Sequence, residues 1–341
     1  MATLRDIAKE AGVSVMTVSN VINGNHGKVS AETAQRIREI IKRLNYVPSS
    51  TARSLTTRNS NIIAVILRSE ADHNVMQNPH NAALVGTLIN QIRSHGYYSM
   101  VSIMKSESEI AQSLQTWNVE GAVFLGMFDD EIEKMCAVTS IPIVYIDSYS
   151  EIRQLSNVGI DDYKGGQLAA KCLIRNHHEH IAFIGPTTEH TGVVQKRFAG
   201  FCDELAANGL QFKPEHHFVV NSDVDLNELE VLGARLASFK EEITAAFVSS
   251  DQIASFLINI LRSHGVRVPE DISLIGFDDL PICRQLSPPL TTIAQNLTQK
   301  AVLAIDILFR RMKEPNAPAE SLILDVELKE RDSVIDRVSQ N

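Results

Sequence analysis

Apolar residues recur at helical spacing in three short segments near the start of the chain. Positions i, i+3 and i+4 share one face of an α-helix, so each segment predicts an amphipathic helix. Thr3, Ser14 and Ser30 are suitable N-cap residues, and Gly12 favours a left-handed turn after the first helix. The three stripes, which together predict a small core, are Leu4, Ile7 and Ala8; Val18, Val21 and Ile22; and Ile37, Ile40, Ile41 and Leu44.

The second helix also carries residues outside its apolar stripe. These are predicted to face away from the core, and they are Val15, Met16, Thr17, Ser19 and Asn20. Two helices joined by such a turn form a helix-turn-helix, whose second helix enters the major groove of DNA. The alternative for three small helices is a bundle that only fills a core.

From Asn61 onward, short apolar runs alternate with amphipathic segments. The first cycle has apolar runs at 62–67, 100–103, 122–125 and 143–146, with a helix near 79–95. The second cycle has runs at 158–161, 181–185, 245–248 and 273–277, with helices through 175, at 193–208 and at 251–264. This alternation predicts βαβ units and parallel sheets in two similar α/β lobes.

The charge is divided unevenly along the 341 residues, a length that predicts two or three domains. Residues 1–60 hold nine Lys and Arg against four Asp and Glu, whereas residues 61–341 hold 23 against 37. The basic charge therefore coincides with the predicted helix-turn-helix, which favours nucleic-acid binding by that part of the chain.

Cysteine and histidine residues give no sign of a metal site or cofactor. Cys136, Cys172, Cys202 and Cys283 lack C-x-x-C spacing and are interpreted as reduced thiols. Adjacent histidines point in divergent directions, so the pairs at 177–178 and 216–217 are expected in solvated loops. The absence of a signal-peptide h-region and of any apolar run of 18 residues predicts a cytoplasmic protein without membrane contact.

The motifs of the first fifty residues closely resemble the LacI/GalR family of bacterial transcription regulators. The family pattern TxxDIAxxAGVSxxTVSxVxN stands at Thr3–Asn23, VSxxT at Val29–Thr33 and LxYxP at Leu44–Pro48. The resemblance covers nearly the whole chain. It implies an all-α N-terminal helix-turn-helix domain followed by an α/β effector domain of periplasmic-binding-protein-like type, with two doubly wound parallel-sheet lobes.

The resemblance also implies where the domains divide. The DNA-binding domain is expected at 1–47 and a hinge helix or linker at 48–60. The chain of the effector domain is expected to cross between lobes near 160, 292 and 322, because strands at 290–293 and 321–324 flank one predicted helix at 297–312. The N-terminal lobe is then 61–160 with 292–322, and the C-terminal lobe is 161–291 with 323–341.

The resemblance implies a homodimer on a pseudo-palindromic double-stranded DNA operator. In the family, the hinge helices pair on DNA and insert a leucine into the minor groove, a position that Leu55 matches. An ordinary flexible linker, with an unremarkable leucine, is the alternative for this polar segment. The expected DNA-binding residues are Thr3, Ser14, Val15, Met16, Thr17, Ser19, Asn20, Asn23, Ser30, Ser49, Ala52, Arg53 and Leu55.

A small-molecule effector is expected in the cleft between lobes, at the carboxyl ends of the strands. The candidate ligand-binding residues are Asn78, His80, Asp147, Arg197, Ser250, Asp278 and Gln295. Arg197 matches the arginine of the family's RxxGF motif. Sugar-binding relatives often place a stacking aromatic where this chain reads Ser-Asp-Val at 222–224, so the pocket is expected to be polar. The effector is left open among a sugar, a nucleoside and a phosphorylated metabolite.

Two other classes of function are alternatives to a ligand-responsive repressor. A transport-type solute-binding protein would share the lobes but would need a signal peptide and no helix-turn-helix. An enzyme would need a reactive constellation, and the chain contains no G-x-S-x-G, HExxH, P-loop or G-x-G-x-x-G pattern after a strand. Whether the effector releases the DNA or strengthens its binding is left open.

Overall fold

The computed structural model divides into two compact units, Met1–Ser60 and Asn61–Asn341. The residues that it describes are 2–22, 24, 28–46, 59–68, 75–104, 106–150, 154–188, 192–220 and 225–340. Five residues expected to contact DNA lie outside the described residues, namely Asn23, Ser49, Ala52, Arg53 and Leu55.

The first unit contains the three predicted helices, α1 (Leu4–Ala11), α2 (Val15–Ile22) and α3 (Ala31–Arg43). Ile7, Val18 and Ile37, one from each helix, are fully buried together in its core. The three stripes thus pack against one another, and their apolar contact stabilises helices that would be marginal alone.

Local hydrogen bonds fix the ends of these helices as the sequence predicts. Thr3 Oγ1 accepts from the Asp6 amide, and the Asp6 carboxylate accepts from the Thr3 amide, which completes a capping box. Gly12 ends α1 with φ of 62°, a conformation that a residue without Cβ adopts without penalty. Ser14 Oγ accepts from the Thr17 amide and Ser30 Oγ from the Thr33 amide.

The second unit contains two six-stranded sheets. The first has the strand order β11-β5-β4-β3-β1-β2 and the second β12-β10-β9-β8-β6-β7. Every pairing is parallel except that of β10 with β12. The strands are β1 (Ile62–Arg68), β2 (Tyr98–Met104), β3 (Gly121–Leu125), β4 (Ile143–Ile146), β5 (Asn157–Ile160), β6 (Ile181–Gly185), β7 (His217–Val219), β8 (Ala245–Val248), β9 (Ser273–Asp278), β10 (Thr291–Ala294), β11 (Ser321–Leu324) and β12 (Glu327–Lys329).

Helices connect these strands as the βαβ pattern requires. They are α4 (Pro79–Ser94), α5 (Glu107–Thr116), α6 (Asp129–Val138), α7 (Asp162–Arg175), α8 (Val193–Ala207), α9 (Leu226–Ser238), α10 (Asp251–Ser263) and α11 (Leu297–Lys313). The central strands of both sheets are largely buried, which is typical of parallel sheets with helical layers on their faces, whereas the edge strands β2, β7, β11 and β12 are mostly half-buried or exposed. The fold class is therefore the predicted one, an all-α unit followed by a two-lobed α/β unit.

The chain crosses between the two sheets three times. It leaves the first sheet after Ile160 and returns to it after Ala294, and it leaves again after Leu324. The second and third crossings lie slightly beyond the expected positions 292 and 322, because β10 pairs with β9 through Ala294 and β11 pairs with β5 through Leu324. The run at 158–161, read as the start of the second cycle, forms the β5 strand of the first sheet.

The expectation that both histidine pairs lie in solvated loops was wrong for three of the four residues. His178 and His216 are buried, and His217 is half-buried at the start of β7. His178 Nε2 donates to the Ile335 carbonyl (3.1 Å), so its ring is stabilised by a polar partner inside the lobe. Burial lowers the pKa of His178 to about 4.

The four cysteines are free thiols, and two of them, Cys172 and Cys283, are buried. Among the described residues, no three or more His, Cys, Asp or Glu side chains are grouped so as to hold a metal ion. None of the described helices is both long and apolar enough to cross a membrane.

Candidate functional site

A cleft cavity of about 410 Å³ lies at the carboxyl ends of the strands, between the two lobes of the second unit. Such a volume is in the usual range for small-molecule sites. The first lobe lines it with Leu67, Arg68, Asn78, His80, Asn81, Leu84, Leu125, Gly126, Phe128, Ile146 and Asp147. The second lobe lines it with Pro186, Thr187, Gly192, Val193, Val194, Gln195, Arg197, Ser249, Ser250, Ile253 and Asp278.

Six of the seven residues expected to bind the effector line this one cavity. Gln295 does not, but its side-chain amide donates to Asp278 Oδ1 at 2.5 Å. The cavity is less uniformly polar than expected, because aliphatic side chains and the ring of Phe128 line it as well. The aromatic side chain comes from the first lobe, and segment 222–224, where none was found in the sequence, lies outside the described residues.

Arg197 is held rigidly at the edge of the cavity. Its Nε donates to Asp162 Oδ1 (2.8 Å) and its Nη1 donates to the Ser249 carbonyl (2.7 Å). Its guanidinium carbon lies 3.5 Å from the centroid of the Phe277 ring, so the planar group is stacked as well as hydrogen-bonded. The side chain is therefore oriented before any ligand arrives.

Close packing of α7 against α8 places Arg197 beside Asp162. A Cβ at Gly166 would lie 1.9 Å from the Arg197 carbonyl oxygen, and one at Gly200 would lie 2.0 Å from the Tyr163 carbonyl oxygen. Only glycine allows the two backbones to approach this closely. The glycine of the RxxGF motif thus positions the arginine of the same motif.

Asp162 and Tyr149 complete this part of the site, and neither was predicted from the sequence. Tyr149 Oη lies 2.6 Å from Asp162 Oδ2, which joins a loop of the first lobe to a helix of the second. Burial raises the pKa of the Asp162 carboxyl, while the Arg197 guanidinium acts in the opposite direction. The neighbouring Asp161 instead caps α7 by accepting from the Lys164 amide.

A chain of polar contacts lies behind the cavity. Lys300 Nζ lies 2.8 and 2.7 Å from the two Asp147 carboxylate oxygens and 2.5 Å from Gln295 Oε1. Gln295 in turn reaches Asp278. Lys300 was not predicted from the sequence. It stands at the start of the apolar stripe of its helix, with Ala304 one turn later, and a lysine within such a stripe was the signal that could have identified it.

Three aspartates near the cavity have an unusual backbone conformation or an unusual environment. Asp278 has φ of 123° and Asp147 in the first lobe has φ of 53°, both in a region that L-residues rarely adopt. Asp251 is buried, and its carboxylate accepts from Thr292 Oγ1 (2.6 Å) and the Leu280 amide (2.8 Å). Burial, together with the nearby Asp278 charge, raises the pKa of Asp251 to about 7. It lies behind the site, whereas its neighbour Ser250 lines the cavity and caps α10.

The first lobe contributes amide and aromatic groups. Asn78 Oδ1 caps α4 by accepting from the His80 amide (2.8 Å). Arg68 Nε donates to Glu131, and the guanidinium carbon lies 4.0 Å from the centroid of the Phe128 ring. Within the described part of the chain, His80 Nε2 is buried and meets no hydrogen-bond partner, which a bound molecule could supply.

On the first unit, the residues expected to contact DNA are placed along α2 and at helix caps. Val15 is 41% exposed and Met16 69% exposed. Thr17, Ser19 and Asn20 are half-buried on the same helix. The unit therefore presents two apolar side chains on the outer face of its second helix.

Comparison with known proteins gives two family matches. Residues 3–49 match the model of bacterial regulatory proteins of the lacI family, and residues 170–334 match that of a periplasmic binding protein-like domain. A ribose operon repressor of Haemophilus influenzae is 32% identical, with 98% of this chain and 99% of that protein covered. A PurR repressor of Mannheimia succiniciproducens is 30% identical over the same shares.

Solved structures agree with these matches. The lac repressor dimer bound to operator and the anti-inducer ONPF superimposes with a TM-score of 0.84 at 25% identity. The alignment covers 98% of this chain and 99% of that one. The similarity therefore includes both units of the chain.

Proposed function

The chain belongs to the LacI family of bacterial regulatory proteins, and on that premise we propose that it represses transcription under the control of a neutral, polyhydroxylated effector. It is a DNA-binding regulator and not an enzyme, and it binds operator DNA as a homodimer. A transport-type solute receptor would have no use for the helix-turn-helix unit.

The proposed division of labour follows the two units. Residues 1–47 read the operator, 48–60 connect, and the lobes from residue 61 onward bind the effector. The exposed side chains of Val15 and Met16 offer apolar contact and no hydrogen-bonding atoms, so we expect them to meet thymine methyl groups in the major groove. Polar residues of α2 and the helix caps would contact phosphates and neighbouring base edges.

The proposal that the effector is neutral rests on the charged side chains of the cleft. The two arginines that line the cavity and the lysine behind it are each matched by a carboxylate of the protein, in the pairs Arg68 with Glu131, Arg197 with Asp162, and Lys300 with Asp147. The Asp278 carboxylate adds a further negative charge at the cavity surface. A phosphate would meet this excess of carboxylates, whereas hydroxyl groups can donate to them.

The remaining lining suits a sugar ring or a nucleoside. Asn78 and Asn81 supply amide groups, and Phe128 supplies an aromatic face. The relative named ribose operon repressor supports a pentose as the first candidate. Of the three effector classes considered from the sequence, the phosphorylated metabolite is the one that the cleft disfavours.

Calorimetric titration of the whole protein with neutral and phosphorylated pairs tests this proposal. We expect D-ribose, other neutral sugars or adenosine to bind at least tenfold more tightly than the corresponding phosphates. Asp278→Asn should weaken binding of the neutral ligand. Asp332 is an exposed residue of the same lobe, and Asp332→Asn should leave that binding unchanged. Tighter binding of the phosphate in every pair would contradict the proposal.

A further inference from the structure

Lys300 is a fully buried lysine whose ammonium group is saturated with oxygen acceptors. The residue is 0% exposed, and its Nζ lies within 2.8 Å of three side-chain oxygens. An ammonium group has three donors, so every N–H has a partner. The side chain is therefore fixed in one position and does not extend to solvent.

Stability alone does not account for a lysine at this position. α11 packs on α4 and β4 through apolar residues, and a methionine would fill a similar volume among them. Taking an ammonium group out of water costs several kcal/mol, and an apolar replacement of a whole buried ion pair is often neutral or stabilising. What the lysine adds is geometry, because it fixes the orientation of the Asp147 carboxylate.

The hydrogen-bond partners of Lys300 connect one lobe to the other. Asp147 follows β4 of the first sheet, Asp278 ends β9 of the second, and Gln295 lies in the crossing segment between them. Gln295 accepts from Lys300 and donates to Asp278, so its amide must be oriented in one way for both bonds to form. The four residues form one continuous chain, Asp147–Lys300–Gln295–Asp278, which we name the hinge chain.

We propose that Lys300 is a positioning residue that couples the two effector-facing carboxylates across the hinge. This inference rests on the proposed effector site and adds how its two halves are linked. Asp147 and Asp278 both line the cavity and both have positive φ, so each needs support from its surroundings to keep its position. The hinge chain supplies that support and makes the position of one carboxylate depend on the other lobe.

Hydrogen exchange without any ligand tests the coupling directly. In Lys300→Met we expect amide exchange to accelerate at least tenfold both at 146–149 and at 278–280, the ends of the hinge chain. The exposed Lys313→Met of the same helix is the matched control and should change neither segment. Acceleration confined to the Asp147 end would mean a local structural role and would overturn the proposal.

Gln295→Met supplies a second variant that keeps Lys300 paired with Asp147. Amide exchange should accelerate at 278–280, while exchange at 146–149 stays within about twofold of the wild type. Gln295→Met also tests the coupling if Lys300→Met fails to fold. Unchanged exchange at 278–280 would contradict the coupling.

Titration with D-ribose, or with the neutral ligand that calorimetry identifies, then measures the effect on recognition. Lys300→Met and Asp278→Asn should each weaken binding at least tenfold, and the double variant should weaken it by less than the product of the two factors, because both break one chain. Strictly multiplicative losses would overturn the proposal. If none of the neutral ligands binds the wild type, the proposed effector class fails, while the exchange experiment still decides the role of Lys300.

Discussion

The two units differ in where they place their polar chemistry. In the described residues of the first unit every buried side chain is apolar, and the residues with an expected function lie on the surface of α2 or cap helices. In the second unit, Arg197, Asp162, Asp278 and Lys300 are all buried. A surface that reads DNA needs a small stable support, whereas a cleft that orients a small molecule needs polar groups fixed by other polar groups.

Stability should therefore respond to different substitutions in the two units. Removing a partner from a buried ion pair leaves a charge without compensation, and the second unit contains several such pairs. The first unit depends on apolar contacts and caps. Substitutions in the two units should reveal this difference.

Arg197→Ala should have the largest effect. It leaves the buried Asp162 carboxylate without its guanidinium and should lower the free energy of unfolding of the second unit by about 3–5 kcal/mol. Lys164→Ala, which removes an exposed ion pair with Asp325, is the control and should lower the free energy of unfolding far less, because water screens an exposed pair. Urea denaturation measures both, and equal losses would contradict the structural role of the buried pair.

His178 should make the stability of the second unit depend on pH. Its pKa is about 4 in the folded protein and 6.5 ordinarily, so the unfolded chain takes up the proton first as the pH falls. Stability should decrease between pH 6.5 and 4 by roughly 3 kcal/mol and level off below. His178→Asn should lack this part of the decrease. Asp251, whose pKa burial raises to about 7, stabilises the folded protein as the pH falls, so the difference between the wild type and His178→Asn isolates the contribution of His178. Parallel curves would refute the prediction.

Gly200→Ala should disturb the packing that positions Arg197. The added Cβ would collide with the Tyr163 backbone, at an expected cost of about 1–3 kcal/mol and with weaker effector binding. Gly86→Ala in α4 is the matched control, since its Cβ would meet nothing within 4 Å. That change should stabilise the protein by roughly 0.5–1 kcal/mol. Equal effects of the two substitutions on denaturation would contradict the close packing of α7 and α8.

The double substitution Val15→Tyr/Met16→Gln should leave stability almost unchanged, within about 0.5 kcal/mol, because both side chains are exposed. It should instead alter the preferred half-site while leaving non-specific DNA affinity near that of the wild type. Selection from randomised DNA measures the preference. An unchanged selected sequence would show that these residues do not read bases.

The same contrast determines how much could be predicted from the sequence. The three helices of the first unit follow from spacing and capping, as Thr3, Gly12 and Ser30 illustrate, because their contacts are local in the chain, and the family motif identifies them as a helix-turn-helix. The strands and the cleft follow from the alternation of apolar runs, since ligand sites of such sheets lie at the carboxyl ends of strands. The fold, and the end of the sheets at which the candidate cleft lies, could thus be predicted from the sequence.

The partners inside the site were not accessible in this way. Asp162 meets Tyr149 and Arg197 only because two helices and a loop from different parts of the chain come together. Lys300 is 153 residues from Asp147, and although its place on an apolar helix stripe indicates that it turns inward, that pattern does not indicate which carboxylate it meets. His178 was misjudged for the same reason, because the carbonyl it bonds to belongs to a segment 157 residues away.

The most direct test of the whole account is operator affinity with and without effector. DNA selected by the wild-type protein should contain a pseudo-palindrome, as expected for a dimer of helix-turn-helix units. Fluorescence anisotropy should then show that the neutral sugar or nucleoside bound in the cleft shifts affinity for that duplex by roughly 5- to 150-fold. Asp278→Asn should lose the shift and keep the basal affinity. An effector that binds the cleft by calorimetry yet leaves operator affinity unchanged would contradict the account.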